Sequence, residues 1–350
     1  MKHAKAKRKA RGRAKLLAIL LIGVAAVLAT GEVSSRLAQE ASPPAALPVS
    51  EPAPPAALVV QDASPPAALP LQDEPADVTR AITIGQQLHS TNALLLSHRT
   101  GEVLHYQNAT ARMYPASLVK MMTALVAIES ISDPNEMVFL PEAIFQPIRD
   151  ANATMAGFLP NDSVRAIDLL FGLMLPSGAE CAVGLAIHVA GSEAAFVAMM
   201  NTRAAELGMA NTNFVNTTGL HDGNQFTTAA DMAALLAYAL ENETFYRIIT
   251  SPRHSTAGSA LQSGGITFHS TLFSRMAATE VGGGHILGGR TGFTNQAGQN
   301  LASFAQIGGE VYILVTSGAQ ANGNHLTQAL HIEDAFTIFG AINAINQGWR

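Results

Sequence analysis

From about residue 92 the apolar positions fall into short runs whose spacing changes along the chain. "NALLLSH" (92–98), "RTG" and "EVLHYQ" (102–107) read as two strands joined by a glycine-containing turn. "SLVKMMTALVAIESI" has apolar residues at helical spacing directly after Pro115-Ala116, which places Ser117 at a helix N-terminus. "AIDLLFGLMLPS" predicts a second buried helix, stopped at Pro176. "CAVGLAIHVAG" and "EAAFVAMMNTRAAELG" predict two more, the latter closed by Gly208. "TTAADMAALLAYALEN" predicts another, capped by Thr227 or Thr228 and with Asp231 in its first turn. "HILGGRTGFT", "NLASFAQIGG" and "EVYILVTSGA" then predict three successive strands, covered by a closing helix, "EDAFTIFGAINAI". Helices in the middle and strands at both ends predict an α+β fold, an antiparallel sheet flanked by helices plus a helical lobe.

The first 77 residues follow a different pattern. "LLAILLIGVAAVLAT" (16–30) is uncharged and apolar, and it follows directly on residues 1–15, which hold eight Lys and Arg and no acid. A basic segment before an apolar one has the form of an export signal, with the basic end kept in the cytoplasm. The block is long for a signal core and short for a spanning helix, which needs about 20 residues. Residues 16–31 are therefore a cleaved signal peptide, with Val27-Leu28-Ala29 as a small-residue cleavage site, or a retained anchor. "ASPPAALP" occurs at 41 and again at 63, with "PAPPAALV" between them at 52. Such Pro/Ala repeats build no core, so residues 32–77 are expected to be an extended linker. Residues 78–350 remain as the catalytic domain.

Charge and cysteine content narrow the class. Removing the eight basic residues of the first fifteen takes the net charge from -5 to -13. An acidic body argues against nucleic acid as a partner, because phosphate binding needs clustered Lys and Arg. Cys181 is the only cysteine, which excludes an intrachain disulfide, and its setting in "ECAVGLAIHVAG" reads as apolar packing. For an exported chain this favours a bacterial envelope enzyme held by its core. The eleven histidines show no ligand spacing, so no metal is expected.

One residue type is oddly rationed. Of 21 Lys and Arg, thirteen lie beyond residue 15; twelve of these are Arg and the other is Lys120. Arg stays protonated at any working pH, whereas a buried Lys can lose its proton and act as a base. Ser117 and Lys120, three residues apart on one helix, share a face. An unprotonated lysine within hydrogen-bond reach can take the proton of a serine hydroxyl and make it a nucleophile.

"YPASLVKMMTALVAIE" resembles the active-site segment of the serine D-alanyl-D-alanine carboxypeptidases, penicillin-binding enzymes that trim peptidoglycan stem peptides. "ALLLSHRTGEVLHYQNATAR" resembles the strand pair leading into it, "LMLPSGAECAVGLAIHVAG" the region of the second motif, and "GGRTGFTNQAG" the K-T-G strand. Three motifs in the same order, within about residues 80–345, are far more specific than any one alone. The resemblance implies a β-lactamase/transpeptidase-like fold and no cofactor. It implies Ser117 as acylated nucleophile, Lys120 as general base, and Ser177 as the first residue of Ser-x-Asn, relaying a proton to the leaving amine. It implies Arg290, Thr291 and Gly292 as the substrate-binding strand, with Thr291 offered to the terminal carboxylate and Arg290 as the cation facing it. The backbone N–H groups of Ser117 and Phe293 would form the oxyanion hole.

Two positions depart from the family pattern. Ala179 stands where the family has Asn, removing one amide contact to substrate or lysine and putting the usual rate and penicillin sensitivity in question. Neighbouring Glu180 reads either as a polar substitute or as a helix-start acid favoured by the dipole. Arg290 stands where the family has Lys, a change a carboxylate-facing cation tolerates and a proton acceptor does not. The expected partners are peptidoglycan stem peptides, β-lactam antibiotics as covalent inhibitors, and the membrane if the N-terminal segment is uncleaved. A catalytically weakened peptidoglycan-binding homologue and a β-lactamase are the alternatives; no segment matches the glutamate-bearing loop that the latter needs.

Overall fold

The computed structural model describes residue 82, residues 84–320 and residues 328–347. The basic segment, the apolar block and the Pro/Ala repeats lie outside the described residues. The chain enters through the expected hairpin, β1 (Asn92–Ser97) and β2 (Val103–Gln107), and then forms α1 (Val119–Ser130). A mixed stretch follows: β3 (Met137–Phe139), α2 (Phe145–Asp150) and β4 (Ser163–Arg165). The helical lobe comprises α3 (Ala166–Met174), α4 (Ala179–Ala190), α5 (Glu193–Glu206), α6 (Ala229–Ala239) and α7 (Glu243–Ile249). After the short pair β5 (Arg253–Ser255) and β6 (Thr267–His269) come β7 (Glu280–Val281), β8 (Gly284–Thr294), β9 (Gly298–Ile307) and β10 (Glu310–Ala319). The closing helix is α8 (Leu330–Gln347).

The main sheet has the order β2-β1-β10-β9-β8-β7, antiparallel throughout. Its strands read as continuous apolar runs because both faces are covered. On β1, Leu94 and Leu96 face the helical lobe while Ala93 and Leu95 face α8. The same alternation splits β10, with Ile313 and Val315 on one side and Tyr312 and Leu314 on the other. An antiparallel sheet usually wets one face; here helices pack on both. Side-chain caps set two helix starts: Thr228 accepts from the Asp231 N–H and Ser192 from that of Ala195.

The middle of the chain is less purely helical than its apolar pattern implies. β3 pairs with β4, and β5 with β6, in two small sheets apart from the main one. Each strand is only three residues long, too short for alternation to stand out from the helical background. The second predicted helix ends at Met174, two residues before Pro176. A proline clashes with a helical preceding residue, so the helix stops short of it. Among the described residues no single helix is long and apolar enough to cross a membrane.

Candidate active site

Ser117 lies in a tight 3₁₀ turn, Ala116–Leu118, that runs directly into α1. Ala116 is held at φ +49° and Ser177, at the start of the second motif, at φ +78°. The other non-glycine residues with positive φ are all Asn, which tolerates that region through local hydrogen bonds. Backbone strain in a non-glycine residue persists only where its surroundings enforce it, and such residues gather at functional sites. Ala116 and Ser177 are the two that no side-chain chemistry excuses, and both adjoin or form the candidate site.

The three motifs converge. Ser117 Oγ stands 3.1 Å from Ser177 Oγ, and Lys120 Nζ stands 3.5 Å from Ser117 Oγ. Lys120 is 3% exposed; burial, and then the charge of Arg290, push its pKa well below the ordinary lysine value. Its ammonium or amine is tethered at close range to the Thr218 carbonyl. That carbonyl belongs to a stapled loop. Asn216 Oδ1 accepts the N–H groups of Thr218 (3.2 Å) and Gly219 (2.8 Å), and Gln225 Nε2 donates to Leu220 O at 3.0 Å. From α1, Thr123 Oγ1 donates to Thr217 O at 2.9 Å.

Arg290, on β8, is 1% exposed. Its Nη2 donates to Ser177 Oγ, its Nη1 to Met174 O at 2.8 Å and its Nε to Ser117 O at 3.3 Å. Burial pulls its pKa down to about 9, which leaves it charged at neutral pH. The arginine thus forms a floor beneath both serines. Thr291 is partly exposed beside it, with Oγ1 2.7 Å from Thr271 Oγ1. Gly292 brings the strand against the nucleophile turn: a Cβ there would stand 3.1 Å from Ser117 N. This close approach puts Phe293 on the strand segment that faces the turn carrying the Ser117 N–H.

Of the other residues singled out in the sequence, Ala179 is buried and its N–H donates to Thr154 O at 2.8 Å. Cys181 is fully buried, and burial pushes its thiol pKa well up, which suits packing and not nucleophilic chemistry. His221 is exposed and meets Tyr114 edge-on, ring centroids 4.7 Å apart. Among the described residues no group of three His, Cys, Asp or Glu side chains is placed to hold a metal ion.

Thr218 is the contact that residue types did not reveal, since it acts through a backbone carbonyl. Its neighbour carries the readable signal. Gly219 has φ +81°, and a Cβ there would stand 2.1 Å from Ala116 O and 2.9 Å from Ser117 N. Gly219→Ala is expected to lower the melting temperature through a strained φ, about 1 kcal/mol or more. It is also expected to slow acylation at least about tenfold, because a shift of the turn misplaces Ser117. Thermal melts and labelling rates measured side by side check both effects.

The family model of the D-alanyl-D-alanine carboxypeptidases matches residues 78–321. The D-alanyl-D-alanine carboxypeptidase DacA of Haemophilus influenzae is 30% identical over 226 residues, 63% of this chain and 54% of that protein. This chain thus spans little more than half of that relative's length. The D-alanyl-D-alanine carboxypeptidase of Streptomyces strain K15 is 30% identical over 225 residues, 62% of this chain and 77% of that one. The crystal structure of the Streptomyces K15 DD-transpeptidase superposes with a TM-score of 0.66 at 25% identity, covering 74% of this chain and 98% of that one. A Ser-Lys pair, a second serine and a cationic strand brought together on such a fold belong with a match across most of the chain: this protein is a member of the D-alanyl-D-alanine carboxypeptidase family.

Proposed function

We propose that the chain is an exported serine carboxypeptidase that removes the terminal D-alanine of peptidoglycan stem peptides through an acyl-enzyme on Ser117. The observation that carries this reading is the Ser117 hydroxyl held between Lys120 Nζ at 3.5 Å and Ser177 Oγ at 3.1 Å. Neutral Lys120 takes the hydroxyl proton as Oγ attacks the carbonyl of the penultimate D-alanine. The oxyanion that develops is met by the Ser117 and Phe293 backbone N–H groups, an interaction realised in the transition state. Ser177 passes a proton to the leaving amine, D-alanine departs, and water then cleaves the ester.

Thr291 offers its hydroxyl to the substrate's terminal carboxylate. Arg290, with its N–H groups committed beneath the site, acts on that carboxylate through its positive potential and keeps Ser177 in place. The basic segment at residues 1–15 followed by the apolar block supports export, by a cleaved signal or a retained anchor.

The test uses purified protein, a pentapeptide ending in D-Ala-D-Ala and a fluorescent penicillin. Release of one D-alanine per peptide, with a stable covalent label, is the expected result. Ala179 supports the second reading, a non-catalytic peptidoglycan-binding homologue; no label and no D-alanine would establish it. Rapid loss of the label would point instead to a β-lactamase.

A further inference from the structure

Glu180 opens α4, three residues after Ser177, and is fully buried. Its Oε1 accepts the backbone N–H of Gly157 at 2.8 Å and that of Phe158 at 3.3 Å. Its Oε2 is buried without a hydrogen-bond partner. A carboxylate cut off from water in this way is costly unless a positive charge offsets it. Two cationic side chains occupy the same interior, Arg290 and Lys120. The charged or titratable groups acting on Lys120 are Arg290 on β8, which disfavours its proton, and Cys181 and Glu180 on α4, which favour it. With its thiol pKa pushed well up, Cys181 is neutral and adds no charge. The buried charges are then easily followed. Arg290 and an ionised Glu180 cancel, so a neutral Lys120 leaves the cluster without net charge.

We propose that Glu180 is a positioning residue of this site: its carboxylate is the buried counter-charge to Arg290 and sets how readily Lys120 gives up its proton. The inference rests on the reading of Ser117 as nucleophile and Lys120 as its base. Glu180 reaches no substrate; it acts on the lysine through space and on the 156–158 segment through Oε1. With the carboxylate charge removed, Arg290 is unopposed, the ammonium form of Lys120 is less stable, and its proton leaves at lower pH.

The test is the pH dependence of the acylation rate by a fluorescent penicillin, comparing the unsubstituted protein with Glu180→Gln. The amide keeps an oxygen for the Gly157 and Phe158 N–H groups and loses only the charge. The acid limb is expected to move down by about one pH unit, so that well below both midpoints the variant keeps about tenfold more of its plateau rate. A lower plateau with an unmoved midpoint means that Glu180 only supports the fold, and overturns the inference; so does an upward shift. If the variant does not fold, the carbon-13 shift of the Glu180 carboxyl in the unsubstituted protein decides. A carboxylate ionised over the pH range where acylation rises supports the proposal, and one still protonated there overturns it. An unsubstituted protein that is not acylated at any pH overturns the Ser117 reading and takes this inference with it. A normal profile with an unmoved Glu180→Gln midpoint overturns the Glu180 inference alone.

Discussion

Replacing Ser117 with alanine is expected to abolish covalent labelling by β-lactams and release of D-alanine, a loss on the order of a millionfold, as when a serine nucleophile is removed elsewhere. The fold is expected to survive. Ser117 is half-buried, makes no cap hydrogen bond to the helix, and its partners keep other contacts: Ser177 retains Arg290, and Lys120 retains the Thr218 carbonyl. The lost hydroxyl contacts are each worth about 1 kcal/mol. A circular dichroism melt and mass spectrometry of the inhibited protein check both halves. An adduct mapped to Ser177 or elsewhere would sink the assignment.

The second large effect is expected at Lys120. Lys120→Arg keeps the positive charge but cannot accept a proton at working pH, so acylation should fall by about a thousandfold or more, close to Lys120→Ala. The variant also sets two permanent cations side by side, since Arg290 is buried in the same place. The unsubstituted protein should acylate faster as pH rises. The sign follows from the base: the neutral amine is the active form, and burial and Arg290 both favour it. Its midpoint should therefore lie well below the ~10.4 of a free lysine. Stopped-flow acylation rates across pH give the midpoint. Substantial activity in Lys120→Arg would reduce the lysine to a charge.

Much of this site was readable before the fold. The solitary Lys120, three residues from Ser117, announced a base, and the hairpin and the three closing strands were plain from their apolar runs. Other parts left no trace. The Thr218 carbonyl contributes a backbone atom that any residue would supply. The positive φ of Ala116 and Ser177 is imposed by neighbours, and neither is the Gly or Asn that advertises such a conformation. Arg290 reads from sequence as a cation turned toward substrate. Its burial beneath both serines comes from β8 passing close to the nucleophile turn, a long-range packing result. Glu180 reads as an ordinary helix-start acid, because the 156–158 segment that buries it is distant in sequence.

The pairing of β1 with β10 joins Asn92 to Ser317 and Ser97 to Tyr312 at the centre of the sheet. Partners so far apart make for high contact order, and the loop entropy of bringing them together slows folding. A chain emerging amino end first, from a ribosome or through a membrane pore, cannot close its sheet until nearly the last residue is out. The nucleophile helix comes early and the cationic strand late, so no nascent fragment holds an assembled site. For this architecture, activity begins only after delivery is complete.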